Sequence, residues 1–225
     1  MPEFTPDWER SPSLPLTAGR SPSFGTSRTK RCIDVVAGSL LVIFFSPLLL
    51  LAALLVKMSS PGPIFFRQPR GGLNGELFNM LKFRTMRMDQ AAVVDQAHVE
   101  QLRARGVLYK LENDPRITRA GKWLRRTSID ELPQLINVVR GEMSLVGPRP
   151  LVPFMLVGDD AAIRQRATVR PGITGLWQIN ARERNLALID MIDFDLEYVR
   201  TCSLRTDAKI MLKTIPAVLS GQGAT

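Results

Sequence analysis

Asp130 and Glu131, in the stretch RRTSIDELPQ (Arg125 to Gln134), are two adjacent carboxylates set directly behind two arginines. A carboxylate at a helix N-terminus is held ionised by the dipole and by nearby cations. The same kind of helix end binds phosphate. An ionised Asp there is a competent nucleophile toward phosphorus, forming an aspartyl phosphate. A second carboxylate alongside can hold Mg²⁺ against substrate phosphate oxygens. The competing reading is a capping box, with Ser128 at the N-cap and Glu131 three residues on. Pro133 complicates it. With the cap at Ser128 the proline falls at the fifth helical position, where its ring and missing N–H both disturb a helix. A cap at Ile129 or Asp130 brings it into the tolerated first turn. On local grounds both readings of the pair stay open.

Chemistry on phosphorus also needs cations on rigid mounts. Arg149 qualifies, because the flanking prolines of GPRP fix φ on both sides and aim its planar fork. Arg170 before Pro171, Arg182 beyond the PGITG turn, and Lys82 and Arg84 in LKFRTM are further candidates. Any one of them alone reads as a solvated surface charge. Together with an apolar anchor they say more.

That anchor follows an abrupt change of composition. Residues 1–27 are rich in Pro, Ser and Thr without an apolar period, which predicts a disordered tail and not a signal peptide. From Val35 to Val56 there is no charge at all. As helix the run is about 33 Å long, enough to cross a hydrocarbon core of about 30 Å. A single span is the simple reading, and a buried soluble helix is a third. Two features favour a re-entrant hairpin instead. Pro47 sits in the middle and forces a kink or break, with Ser46 and Ser39 able to satisfy freed backbone groups. Arg28, Lys30 and Arg31 precede the run while Lys57, Arg67 and Arg70 follow it, so the positive-inside preference puts both ends on one side. The expectation is a helix–break–helix turning at Ser46 and Pro47.

The rest of the chain reads as short elements. IFFRQPRGGLNGELFNMLKFRTM suggests two strands around a turn at Gly72 to Gly75. Residues 86–105 look helical, with His98 on the Val94 and Leu102 stripe, more a packing residue than a ligand. A helix from about Ile129 to Arg140 should stop at Gly141 as a C′ glycine. SLVGPRPLVP reads as extended. A helix near Asp160 to Thr168 leads into RPGITGLWQIN, read as a turn then a strand. Leu188 to Thr201 reads as helix. DAKIMLKTIPAVLSG closes the chain as an amphipathic helix, either core or membrane-surface. The prediction is an α+β, predominantly helical chain. It has a tail (1–27), a re-entrant membrane helix (28–58), a small cytoplasmic catalytic domain with short strands and amphipathic interfacial helices (59–220), and a C-terminal tail (221–225).

With a formal net charge of +9 and a pI near 10.2, the chain favours anionic partners: nucleic acid, phosphorylated metabolites or acidic lipid. Two cysteines, Cys32 and Cys202, and the single His98 show no zinc spacing and no disulfide framework.

Four stretches in this order closely resemble the bacterial sugar transferases, also described as monotopic phosphoglycosyl transferases or polyprenyl-phosphate hexose-1-phosphate transferases. They are KRCIDVVAGSLLVIFFSPLLLLAALLVKMSSPGPIFFRQPRGG, KFRTM, RRTSIDELPQLINVVRGEMSLVGPRP and VRPGITGLWQINAR, covering roughly Lys30 to Ser220. The resemblance implies that Asp130 attacks the β-phosphorus of a UDP-sugar, releasing UMP and leaving a sugar phosphate on the enzyme, with Glu131 binding Mg²⁺ beside it. It implies phosphate-binding roles for Arg149 and Arg182, a membrane-helix break at Ser46 and Pro47, and undecaprenyl phosphate as acceptor. It further implies residence on the cytoplasmic face of the bacterial inner membrane and the first membrane step of an exopolysaccharide or other surface glycan. Where many relatives have Asn-Gly-Arg-Asn after the Pro-Gly-Ile-Thr-Gly strand this chain has NARERN, which makes Arg184 an alternative to Arg182. A homodimer is a further partner expectation.

Two rivals come from other classes. An Asp-x-Asp glycosyl transferase could use Asp193 and Asp195, but in a helix these point about 200° apart. A membrane-tethered nucleic-acid binder suits the pI, yet no such motif is present and few aromatics interleave the basic clusters, so nucleic acid is not expected as a partner. A basic scaffold on anionic membrane is the remaining non-enzyme reading.

Overall fold

The computed structural model describes residues 24–88, 114–156, 161–181 and 188–219. Its longest element is α1 (Arg28–Ser59), a helix of 32 residues whose N-cap Ser27 accepts from the Lys30 N–H. The expected helix–break–helix is corrected here: α1 runs through Pro47 as one helix. Pro47 offers no N–H to the Ile43 carbonyl four residues back, and the Ser46 hydroxyl donates to that carbonyl at 2.7 Å instead. The backbone group freed by the proline is thereby satisfied without interrupting the helix.

α1 buries one stripe and exposes the other. Ala37, Leu41, Val42 and Phe45 pack on a core that includes Leu135, Val138, Val146, Tyr198 and Ile210. Further along, Ala52 and Val56 join Phe83 and Leu124 in a second cluster. Full burial of a side chain such as Val56 stabilises by roughly 1.5–3 kcal/mol. The opposite stripe, including Leu40, Ile43, Phe44, Leu50 and Leu54, faces outward, Phe44 being 74% exposed. It is the one helix among the described residues long and apolar enough to cross a membrane.

The expected hairpin forms. β1 (Phe65–Gly71) and β2 (Leu77–Phe83) pair antiparallel, with Phe65 opposite Phe83 and Gly71 opposite Leu77. They are joined through a 3₁₀ turn at Leu73–Gly75. The helix expected over 86–105 falls mostly outside the described residues, His98 included. Its start is not helical, since Met86 bridges Ile117 antiparallel.

α2 (Arg119–Arg126) is capped by Thr118, whose hydroxyl accepts from the Gly121 N–H at 2.9 Å. The predicted helix Ile129 to Arg140 is split in two. Ile129–Glu131 is a single 3₁₀ turn, and α3 (Gln134–Arg140) starts behind Pro133 as its N-cap. The capping box is absent: Ser128 is left-handed (φ 56°) and its side chain makes no capping bond. Pro133 decides this, because a proline is tolerated at a helix start and not in its interior. Gly141 ends α3 at φ 93°, as expected of a C′ glycine.

The extended GPRP region begins as β3 (Ser144–Val146), which pairs parallel with β4 (Gly172–Thr174). A Cβ on Gly172 would lie 2.0 Å from the Gly147 nitrogen, so only glycine lets these two backbones approach. After β4 the chain forms α5 (Leu176–Ala181), which corrects the strand expected over GLWQIN. α4 (Ala161–Arg166), α6 (Leu188–Thr201) and α7 (Leu204–Leu219) complete the chain, with Pro216 inside α7. The fold is predominantly helical α+β, as read from the sequence.

Candidate functional site

The 3₁₀ turn at Ile129–Glu131 points Asp130 inward, where it is 9% exposed, and leaves Glu131 half-buried beside it. The left-handed Ser128 makes this possible, turning the chain sharply between α2 and the 3₁₀ turn. Burial pushes the Asp130 carboxyl up from its ordinary 3.8 to about 6, with the Glu131 charge adding to the rise. Lys82 and Arg125 oppose that rise, so both cations act on the carboxyl.

Lys82 comes from β2 and donates to Glu131 Oε1 at 2.7 Å. Arg125 comes from the end of α2, with its Nε on the Thr85 hydroxyl at 2.9 Å. Arg149 faces the same space from the GPRP loop. Its guanidinium lies 4.2 Å from the centre of the Trp177 ring, a cation–π stack against α5. Its backbone is pinned as well: Asp195 Oδ1 accepts the Arg149 N–H at 3.3 Å, and Arg166 donates to the Arg149 carbonyl. Asp195 and Arg166 themselves form a buried ion pair. Arg70, on β1, donates to the Pro150 carbonyl at 3.1 Å and to Gln68. Burial, and then the Arg149 charge, bring the Arg70 guanidinium down to about 10, while Glu131 works the other way. Burial likewise lowers Arg149, which Glu131 and Asp195 counter.

Four cations therefore surround one carboxylate pair, an arrangement suited to binding a diphosphate. Of the residues singled out from sequence, Asp130, Glu131, Lys82 and Arg149 converge. Arg84 is engaged elsewhere, capping the C-terminal end of α1 through the carbonyls of Val56, Ser60 and Pro61. Arg170 is also turned to a helix end, donating to the Gly141 carbonyl at 2.8 Å. Arg182 and its alternative Arg184 lie outside the described residues. The rival pair separates as its helical spacing demands: Asp195 is buried on Arg166 and Asp193 is exposed.

The amino-acid order alone passed over Arg70, Arg125 and Trp177 as site components. In the sequence Arg70 reads only as a flanking charge. Its signal was the RQPRGG context, a cation placed in a strand just before a glycine turn. Trp177 was hidden by the strand reading of its segment.

The model of the bacterial sugar transferase family matches residues 25–221. The chain belongs to that family. This sugar transferase is 45% identical over 201 residues to the exopolysaccharide production protein ExoY of Rhizobium meliloti, covering 87% of each. It is 44% identical over 216 residues to the UDP-glucose:undecaprenyl-phosphate glucose-1-phosphate transferase of Caulobacter vibrioides, covering 92% of this chain and 75% of that one. An uncharacterized sugar transferase of Haemophilus influenzae is 45% identical over 198 residues, covering 87% of this chain and 42% of that one. The chain thus spans nearly all of one relative and less than half of another.

Proposed function

We propose that this sugar transferase moves a sugar 1-phosphate from a UDP-sugar to undecaprenyl phosphate, in two steps through Asp130. The observation that carries the reading is a buried aspartate on which Lys82 and Arg125 both act, with Arg70 and Arg149 facing its neighbour Glu131. In the first step an Asp130 carboxylate oxygen attacks the β-phosphorus of the donor. The bond from that phosphorus to the bridging oxygen breaks, and UMP leaves with the electron pair. In the second step an oxygen of the acceptor phosphate attacks the same phosphorus, and the bond to Asp130 breaks, restoring the carboxylate. Arg149 and Arg70 hold the diphosphate through the fork geometry of their guanidinium groups. Lys82 and Arg125 keep the nucleophile ionised.

Glu131, with Asp130 beside it, would hold Mg²⁺. A carboxylate beside a diphosphate site has the hard oxygen chemistry that suits that ion. Bound there, Mg²⁺ supplies charge neutralisation on the diphosphate oxygens.

Membrane seating on the cytoplasmic side of the bacterial inner membrane is part of the same reading. Both ends of α1 are fastened to one domain. Near the start, Lys30 reaches Asp207 and Asp34 accepts the Leu145 N–H; at the end, Arg84 holds the last carbonyls. A helix tied down at both ends can sink its outer stripe into one leaflet without carrying either end across. A thiol reagent applied from the cytoplasm should reach both Cys32, which is exposed, and a cysteine introduced as Met58→Cys. Labelling from opposite faces would contradict this seating.

The chemistry is tested without acceptor. Donor and Mg²⁺ alone should give up to one equivalent of UMP, then stall, with a sugar-phosphate mass added to the peptide holding Asp130. UMP appearing only once acceptor is present would refute the covalent route.

A further inference from the structure

A cavity of about 460 Å³ opens at the start of α1, at the other end of that helix from Arg84. Its walls are of two kinds. Arg28, Arg31 and Arg170 supply three cations, and Val35 and Val36 an apolar side, with Cys32 beside them. Two of the cations converge on Gly141. Arg31 donates to the Val138 and Val139 carbonyls at 2.6 and 2.8 Å, and a Cβ on Gly141 would lie 3.1 Å from its Nη2. Arg170 Nε donates to the Gly141 carbonyl at 2.8 Å. Burial, and then the Arg170 charge, bring the Arg31 guanidinium down from its ordinary value. The end of α3, equivalent to about half a negative charge, does not neutralise the two, and exposed Arg28 adds a third. Among the described residues no carboxylate pairs with any of them. Asp34 acts on Arg31 but is taken up by Lys30 and the Leu145 N–H. The first turn of α1 carries no acidic residue either, so the positive end of a 32-residue helix adds to the same field.

We infer that this cavity binds the headgroup phosphate of an anionic glycerophospholipid, with the start of one acyl chain against Val35 and Val36. This rests on the membrane seating of α1 proposed above, and adds a lipid that the reaction does not consume. The anion follows from the three guanidinium groups, whose N–H donors match phosphate oxygens. A free phosphate uses those donors and leaves the valines in water. A phospholipid fills both sides, because Val36 is exposed and its face of α1 continues outward through Leu40, Ile43 and Phe44. A zwitterionic headgroup brings its own ammonium to a place that already holds three cations. Basic residues beside a membrane helix gain about 1 kcal/mol each from an anionic leaflet. Occupancy also screens Arg31 from Arg170, and so steadies the end of α3, the helix that begins behind the Asp130 turn.

Cys32 reports on the site, because it is exposed and lines it. The full chain is placed in phosphatidylcholine nanodiscs, with or without phosphatidylglycerol, and N-ethylmaleimide addition to the Cys32 peptide is timed by mass spectrometry. Phosphatidylglycerol should slow the addition about tenfold, as a site mostly occupied requires. The variant is made at exposed Arg28, since Arg31 holds the end of α3. Arg28→Gln should lose most of the protection. Lys122→Gln, an equal charge change on α2 where that helix packs on the other end of α1, should keep it. Equal rates in the two discs overturn the inference. So does slowing that Arg28→Gln leaves intact, which comes from the surface charge of the disc alone. Equal slowing by inorganic phosphate in phosphatidylcholine discs overturns the lipid as its source. Nanodiscs expose both faces, so protection is read whichever way α1 lies, and the seating stands or falls separately on the sidedness of labelling at Cys32 and Met58→Cys.

Discussion

Trp177 presents its ring face to the Arg149 guanidinium at 4.2 Å, and that stack aims the one cation whose backbone is also held on both sides by Asp195 and Arg166. The prolines of GPRP restrict the loop but leave the side chain free, so the aromatic face settles where the fork points. A partly desolvated cation–π contact contributes about 0.5–2 kcal/mol. Trp177→Ala should therefore lower kcat/KM for the UDP-sugar by roughly two- to thirtyfold. Trp177→Phe should recover most of the loss. Steady-state UMP release measures both, and equal losses in the two variants would mean that Trp177 acts through packing and not through its face.

Asp130 carries an opposition between stability and chemistry that can be measured. In the folded chain its carboxyl sits near 6 against an ordinary 3.8, raised first by burial and then by Glu131. Between those values the folded protein keeps a proton that the unfolded chain has released, so stability falls as pH rises through the window and the full penalty stands above about 6. At 1.36 kcal/mol per unit the penalty is at most about 3 kcal/mol. Asp130→Asn should abolish UMP release yet raise Tm at neutral pH, with the gain vanishing below about pH 4. Thermal unfolding in metal-free, donor-free buffer across that range checks it. A gain that persists in acid would point to a cause other than ionisation.

How much of this could be read in advance depended on whether a signal was local. The helical bias, the β1–β2 hairpin and Gly141 as a helix stop each come from a few neighbouring residues. Asp130, Glu131, Lys82 and Arg149 were legible by type and mounting. The turn that delivers Asp130 was not, because Ser128-x-x-Glu131 spells a capping box as readily as a left-handed bend, and only Pro133 tips the balance. The parallel pairing of β3 with β4 was equally hidden: three-residue strands show no period, and their register is set by the close approach of Gly147 and Gly172 from distant stretches. At Pro47 the local chemistry was legible and its consequence was not, since the Ser46 hydroxyl satisfies Ile43 inside a continuous helix.

Arg84 separates binding from structure. It is 3% exposed and its guanidinium spans the carbonyls of Ser60 at 2.6 Å, Pro61 at 2.9 Å and Val56 at 3.3 Å. Removing it leaves the end of α1 without those donors, at a cost of about 3 kcal/mol or more. Arg84→Ala should lower Tm markedly while the folded fraction keeps its donor KM within about twofold. Lys82→Ala should show the reverse pattern, with lost turnover and a small change in Tm, because its partner Glu131 stays partly solvated. A large rise in donor KM for Arg84→Ala would return that residue to the phosphate site.

Lys30 tests how α1 is fastened at its other end. Its ammonium lies 2.6 Å from Asp207 on α7 and 3.8 Å from Asp34, all three side chains being nearly inaccessible to solvent, and Tyr198 donates to the other oxygen of Asp207 at 2.9 Å. A buried pair is held less by net attraction than by the cost of leaving either member alone. Lys30→Met should therefore destabilise by about 3–5 kcal/mol, since it leaves Asp207 buried without its cation. Lys30→Met combined with Asp207→Leu should recover more than half of that, because the two apolar side chains fill the same space without a charge to desolvate. Denaturant unfolding in detergent for the two singles and the double closes the cycle. Strictly additive losses would show that the two residues support the helix independently, and the ionic link between α1 and α7 would then have no energetic standing.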